Sequence, residues 1–163
     1  METMQTLLMP LLETVPHTFN TLTNTPVDVL GDFPQSYKKI LPFDVASVVT
    51  FQGLGARGTL ALCMSKTVYL AVLNRMLATE YQEIDEENCD GVAELLNVIY
   101  ATSRTHWNKA GMGFDLALPI VIRGQSPVIG LPKGGDAREL RCNCEFGDFS
   151  LLIHLEETLM RTR

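Results

Sequence analysis

Glu94 and Asn97 are the pair in this sequence whose types and spacing could do chemistry. They lie in the stretch Asp90-Gly-Val-Ala-Glu-Leu-Leu-Asn-Val-Ile-Tyr-Ala101. Stepping about 100° per residue along a helix, Val92, Leu95, Leu96, Ile99 and Trp107 gather on one side. Asp90, Glu94, Asn97, Ala101, Arg104 and Asn108 gather on the other. Residues three apart are neighbours on a helix surface, so the acid and the amide stand side by side. An amide donates and accepts hydrogen bonds at once and can therefore orient a water. A carboxylate beside it can pair with a cation on a partner. The solvated face of any amphipathic helix shows the same spacing, so spacing alone leaves both readings open.

The other chemical candidates are weaker. Cys142 and Cys144 form a Cys-x-Cys, but Leu140, Cys142, Cys144 and Phe146 alternate with Glu139, Arg141, Asn143 and Glu145. Period two puts both thiols on the apolar face of one strand. A structural zinc site would want two further ligands at familiar spacing, and there is no second pair. We therefore expect these cysteines to be buried, reduced and metal-free. His17, His106 and His154 are scattered, with His154 on the polar side of the last strand. No serine or cysteine sits in a nucleophile-elbow context. Gly53-x-Gly55-x-x-Gly58 has phosphate-loop spacing but falls inside a predicted hairpin, whereas that motif needs a strand-to-helix turn.

The elements that must position the pair are legible from the pattern. A helix is predicted over about Thr3 to Thr23, kinked or starting late because of Pro10 and Pro16. Val27 to Leu30 reads as a short strand. Phe43 to Phe51 and Gly58 to Met64 read as a hairpin around Gln52–Gly55. Ser65 caps a helix to about Ala78. Asp85 is the N-cap candidate of the long helix, which ends near Lys109 before Gly111 and Gly113. Leu116 to Ile122 reads as a strand, at an edge or bulge because of Pro119. Gly124 to Gly135 is loop-like, with Gly and Pro spread through it and room for one short strand. A last hairpin turns at Phe146–Asp148, with Phe149, Leu151, Ile153 and Leu155 facing inward. Adjacent strand pairs separated by helices predict an α+β fold with a largely antiparallel sheet.

Composition sets bounds on function. The chain has 163 residues, 46% of them hydrophobic and 20% charged, which suits one globular domain over residues 1–163. Thirteen Lys+Arg against nineteen Asp+Glu give a net charge of −6. That disfavours sequence-independent nucleic-acid binding and docking on anionic membranes. No apolar run approaches the ~20 residues of a membrane span. The N-terminus has no basic residue before its apolar stretch, and Glu2 and Glu13 make it a poor signal peptide. A cytoplasmic protein with free thiols is expected.

The Asp90–Ala101 stretch resembles the signature helix of the CheX/CheC/FliY chemotaxis phosphatases, an acid followed three residues later by asparagine within an apolar helix. Phe51-Gln-Gly-Leu-Gly-Ala-Arg-Gly-Thr-Leu-Ala-Leu62 is similar to that family's hairpin, Leu118-Pro-Ile-Val-Ile-Arg-Gly124 to the strand after its signature helix, and Leu8-Met-Pro-Leu11 to its first helix. One copy of the motif matches the CheX type. The resemblance implies a CheX-like α+β fold and an enzyme that dephosphorylates the aspartyl phosphate of a CheY-like receiver domain. Asn97 would hold the hydrolytic water and Glu94 would pair with a receiver lysine. Asp90, Ala101 and Arg104 would contact the partner. This chain would contribute no metal or organic cofactor, and the receiver would bring its own divalent ion, Mg. A homodimer through strands is also implied. Ala101 stands where the family usually has glycine, which would allow closer backbone approach. The same likeness accommodates a non-catalytic module that binds a receiver or dimerises, or a structural part of a flagellar switch complex.

Overall fold

A computed structural model describes residues 2–34, 42–125 and 127–158. The chain runs α1 (Glu2–Thr23), β1 (Asp28–Pro34), β2 (Val45–Gly53), β3 (Ala56–Met64), α2 (Lys66–Leu77), α3 (Gly91–Lys109), β4 (Ile120–Arg123), β5 (Asp136–Cys144) and β6 (Gly147–Glu157). The described strands form one sheet in the order β1-β5-β6-β3-β2-β4. Every neighbouring pair is antiparallel. The α+β fold expected from the sequence is the one observed.

Local chemistry accounts for the elements. Gly55, at φ 83°, turns the β2–β3 hairpin in a left-handed conformation that glycine adopts without strain. The phosphate-loop-like glycines thus belong to a hairpin. The Ser65 hydroxyl accepts from the Val68 N–H at 3.3 Å and caps α2 as expected. α1 starts early and runs through both prolines, although each removes one donor from its ladder.

The three described helices lie on one face of the sheet. Leu7, Leu11, Val15 and Phe19 of α1, Val72 of α2, and Leu96, Ile99 and Trp107 of α3 meet Val49, Leu60, Leu62, Leu151 and Ile153 in one buried cluster. On the opposite face a smaller cluster joins Phe43, Ala46, Ala61, Cys63 and Leu152 to Ile129 of the 124–135 segment. Cys142 and Cys144 are buried on the helix side of β5, where period two placed them.

Several expectations need correction. Asp85 does not cap the long helix. Its carboxylate accepts from the Glu87 and Asn88 N–H groups at 2.9 and 3.2 Å and so stabilises a separate turn. The helix begins after Asp90, whose carbonyl accepts from Ala93 and Glu94. β1 extends to Pro34, beyond the expected Leu30, because the ladder with β5 continues past a register shift between Val29 and Gly31. β4 begins only at Ile120, so Pro119 precedes the strand, and β4 is one of the two edges of the described sheet. His154 is not solvated. It is 3% exposed, with Nε2 2.5 Å from the Gly134 carbonyl, because residues 127–135 cover that face.

Candidate active site

α3 is one unbroken helix of 19 residues carrying both Glu94 and Asn97. Its inner side buries Val92, Leu95, Leu96, Ile99, Tyr100, Ser103 and Trp107. Asp90, Glu94, Asn97 and Ala101 are all exposed. The helix is seated firmly. The Tyr69 hydroxyl donates to the Asn88 carbonyl at 2.5 Å just before its start. Near its end the Trp107 indole donates to the Leu7 carbonyl at 3.2 Å. Beneath its second half lies an aromatic nest. The Phe51 ring stacks on Trp107 at 5.6 Å between centroids and meets Phe114 edge-on at 4.8 Å. Such packing holds the axis rigid and leaves the acid and the amide projecting outward.

Glu94 lies in the first turn of α3, where the positive end of the helix dipole favours a carboxylate. Val98, next to Asn97, is 37% exposed, so the surface around the amide is partly apolar.

Arg104 and Asn108 fall on the Asn97 side of the helix but are not freely solvated. The Arg104 Nε–H donates to the Phe114 carbonyl at 2.8 Å, and Asn108 Nδ2 donates to the same oxygen at 2.9 Å. The Phe114 N–H donates back to Asn108 Oδ1 at 2.7 Å. Both side chains are half-buried. The outer face is thus open from Asp90 to Ala101, while farther along the protein's own backbone engages it. No spacing signal in the sequence announces this, because Phe114 lies beyond the helix end.

The site is a projecting face. A cleft of about 440 Å³ is lined by Thr3, Met4, Gly135, Asp136, Leu155, Glu156 and Glu157. Another, of about 380 Å³, is lined by Asp44, Lys66, Glu83, Ile84, Arg123, Gly124 and Gln125. Neither includes Glu94 or Asn97. Among the described residues no group of three or more His, Cys, Asp or Glu side chains is placed to hold a metal. No described helix is long and apolar enough to cross a membrane.

Sequence reasoning missed one polar cluster. Glu139, expected on a polar strand face, is 3% exposed. It accepts from the Ser150 hydroxyl at 2.7 Å and from Arg141 Nε at 3.4 Å. Burial, and secondarily this carboxylate, push the Cys63 thiol up to about 12.

An antiparallel sheet with the three described helices on one face, presenting an exposed acid and amide about one turn apart on α3, defines an α+β domain. The family model described as "Chemotaxis phosphatase CheX" matches residues 45–142, and the chain belongs to that family. A search of curated protein sequences returned no match. Among solved structures, the chemotaxis protein CheX from Vibrio vulnificus superposes with a TM-score of 0.85 at 20% identity, covering 92% of this chain and 99% of that one. CheX in the CheX-CheY-BeF3-Mg complex from Borrelia burgdorferi gives 0.73 at 22% identity, covering 92% and 97%. Thermotoga maritima FliY gives 0.59 at 17% identity, covering 88% and 84%.

Proposed function

We propose that this chain dephosphorylates the aspartyl phosphate of a CheY-like receiver domain. The observation that carries this reading is the exposure of Glu94 and Asn97 together on one rigid helix, in a chain of the chemotaxis phosphatase family. Phosphoryl transfer asks a protein mainly for positioning and charge stabilisation. Asn97 would enter the receiver's site and hold a water in line with phosphorus, its amide oxygen accepting from the water. Glu94 would pair with a receiver lysine and fix the register of docking. The water attacks phosphorus, the acyl oxygen leaves as the receiver's aspartate, and inorganic phosphate departs. The receiver supplies the divalent ion, Mg, and this chain contributes neither metal nor organic cofactor. Asp90 and Ala101 flank the pair and would meet the partner, while Arg104 borders the same patch. With Ala101 in place of glycine, the partner's backbone stops one methyl group farther out.

The CheX-CheY complex from Borrelia burgdorferi supports the choice of partner through the shared family. The same reading takes residues 1–163 as a single domain acting in the cytoplasm. It also takes the chain as a homodimer, since β4 is a sheet edge whose first residue, Ile120, is 63% exposed, with Leu118 just before it 84% exposed. Incubation with phosphorylated receivers from the same organism, following phosphate loss, tests the activity. Acceleration by the wild-type chain supports it. No acceleration with any native receiver would leave a receiver-binding module of this fold.

A further inference from the structure

The segment that follows α3 is held against the flank of the helix that bears Asn97. Arg104 lies seven residues beyond Asn97, two turns on and within about 20° of the same direction. Together with Asn108 it engages the Phe114 backbone through three hydrogen bonds of 2.7 to 2.9 Å. The Tyr100 hydroxyl donates to the Asp115 carbonyl at 2.5 Å. Helical side chains lean toward the N-terminus, so this bond draws Asp115 back toward the level of Asn97. From the other side, the Asp115 N–H donates to the Gln52 carbonyl at 3.0 Å, and Asp115 Oδ1 accepts from the Gln52 N–H at 3.1 Å. Leu54 N–H donates to the Met112 carbonyl at 3.0 Å. A Cβ on Gly53 would meet that same carbonyl at 2.4 Å, so the hairpin and the segment are in backbone contact. The next residue, Leu116, is 83% exposed.

We infer that Arg104 and Asn108 are positioning residues. They fix residues 112–116 as a second wall of the receiver-docking surface, with Leu116 as its apolar contact. The inference rests on the proposed receiver phosphatase reading and commits to the same occupant. A receiver inserted at Asn97 would lie over this flank, because Arg104 projects on the same side of the helix two turns on and holds the segment there. The acid–amide pair then sets chemistry and register, and the clamped segment contributes affinity. A purely structural clamp would change stability and leave affinity at an exposed leucine untouched.

The test separates binding from turnover. Affinity is titrated with a Mg-loaded receiver carrying beryllium trifluoride in place of the phosphoryl group. Decay of the phosphorylated receiver is followed at saturating enzyme. Leu116→Lys and Asn108→Ala should each raise Kd about tenfold, and the saturated decay rate should fall far less than the affinity. Asn97→Ala should show the reverse. Unchanged Kd in Leu116→Lys would overturn the inference. So would an Asn108→Ala protein that loses saturated rate at unchanged Kd. If circular dichroism shows that Asn108→Ala is unfolded, Leu116→Lys decides alone, because its side chain is solvent-exposed. Failure of the wild type to accelerate decay would sink the phosphatase reading, and the titration would still judge the second wall.

Discussion

The indole nitrogen of Trp107 donates to the carbonyl of Leu7 at 3.2 Å, joining residues 100 positions apart. This bond ties the helix that presents Glu94 and Asn97 to the N-terminal helix. Trp107 is fully buried, and its ring also stacks on Phe51. The outward face of α3 is therefore held by contacts made on its inward face.

Replacing that anchor tests the dependence directly. Trp107→Ala empties a large buried site and removes the donor to Leu7, at a cost of about 3–5 kcal/mol. A urea unfolding midpoint shifted by much less would show that the aromatic nest closes around the cavity.

Asn97→Ala should lose most of the dephosphorylation rate, on the order of 10²-fold or about 2.7 kcal/mol, with affinity and fold retained. The position is exposed, so circular dichroism and melting should match the wild type. Stopped-flow decay of a phosphorylated receiver gives the rate. Full activity in this variant would remove the amide from the mechanism.

Glu94→Ala should weaken receiver binding as well as slow decay, because the carboxylate is assigned to a lysine of the partner. Glu94→Lys should weaken binding further by bringing like charges together. Combined with Asn97→Ala, either change should cost less than the sum, since both residues serve one docked geometry. A titration in which Glu94→Lys binds as tightly as wild type would contradict this role.

The buried thiols predict an alkaline limit to stability. Burial pushes Cys63 and Cys142 up from an ordinary 9.0 to about 12. The folded state therefore keeps protons that the unfolded chain releases, so their contribution is whole below about pH 9 and is lost as pH rises toward 12. Melting temperature should fall above pH 9, and Cys63→Ala should flatten part of that slope. At pH 8 native Cys63 and Cys142 should resist thiol reagents and react once urea unfolds the chain. Rapid labelling of the native protein would refute it.

Much of this protein was legible in its sequence where the determining physics is local. Period-two alternation placed Cys142 and Cys144 inward. Helical spacing put Glu94 and Asn97 outward on one helix, and the Ser65 cap began α2. Proline at 119 pointed to an edge or a bulge, and β4 is an edge, although Pro119 stands just before it. Interactions between distant segments were not legible. Asp85 looked like a helix cap because capping is read from residue type, yet its carboxylate closes an earlier turn. His154 and Glu139 alternate as solvent-facing residues should, but other parts of the chain bury them. Arg104 shares the face of Asn97 by its angle on the helix, and only the return of the chain at Phe114 takes up its Nε–H. Periodicity reports which side of an element a residue occupies. What lies against that side is decided by which distant segments pack there, and that is settled only when the whole chain folds.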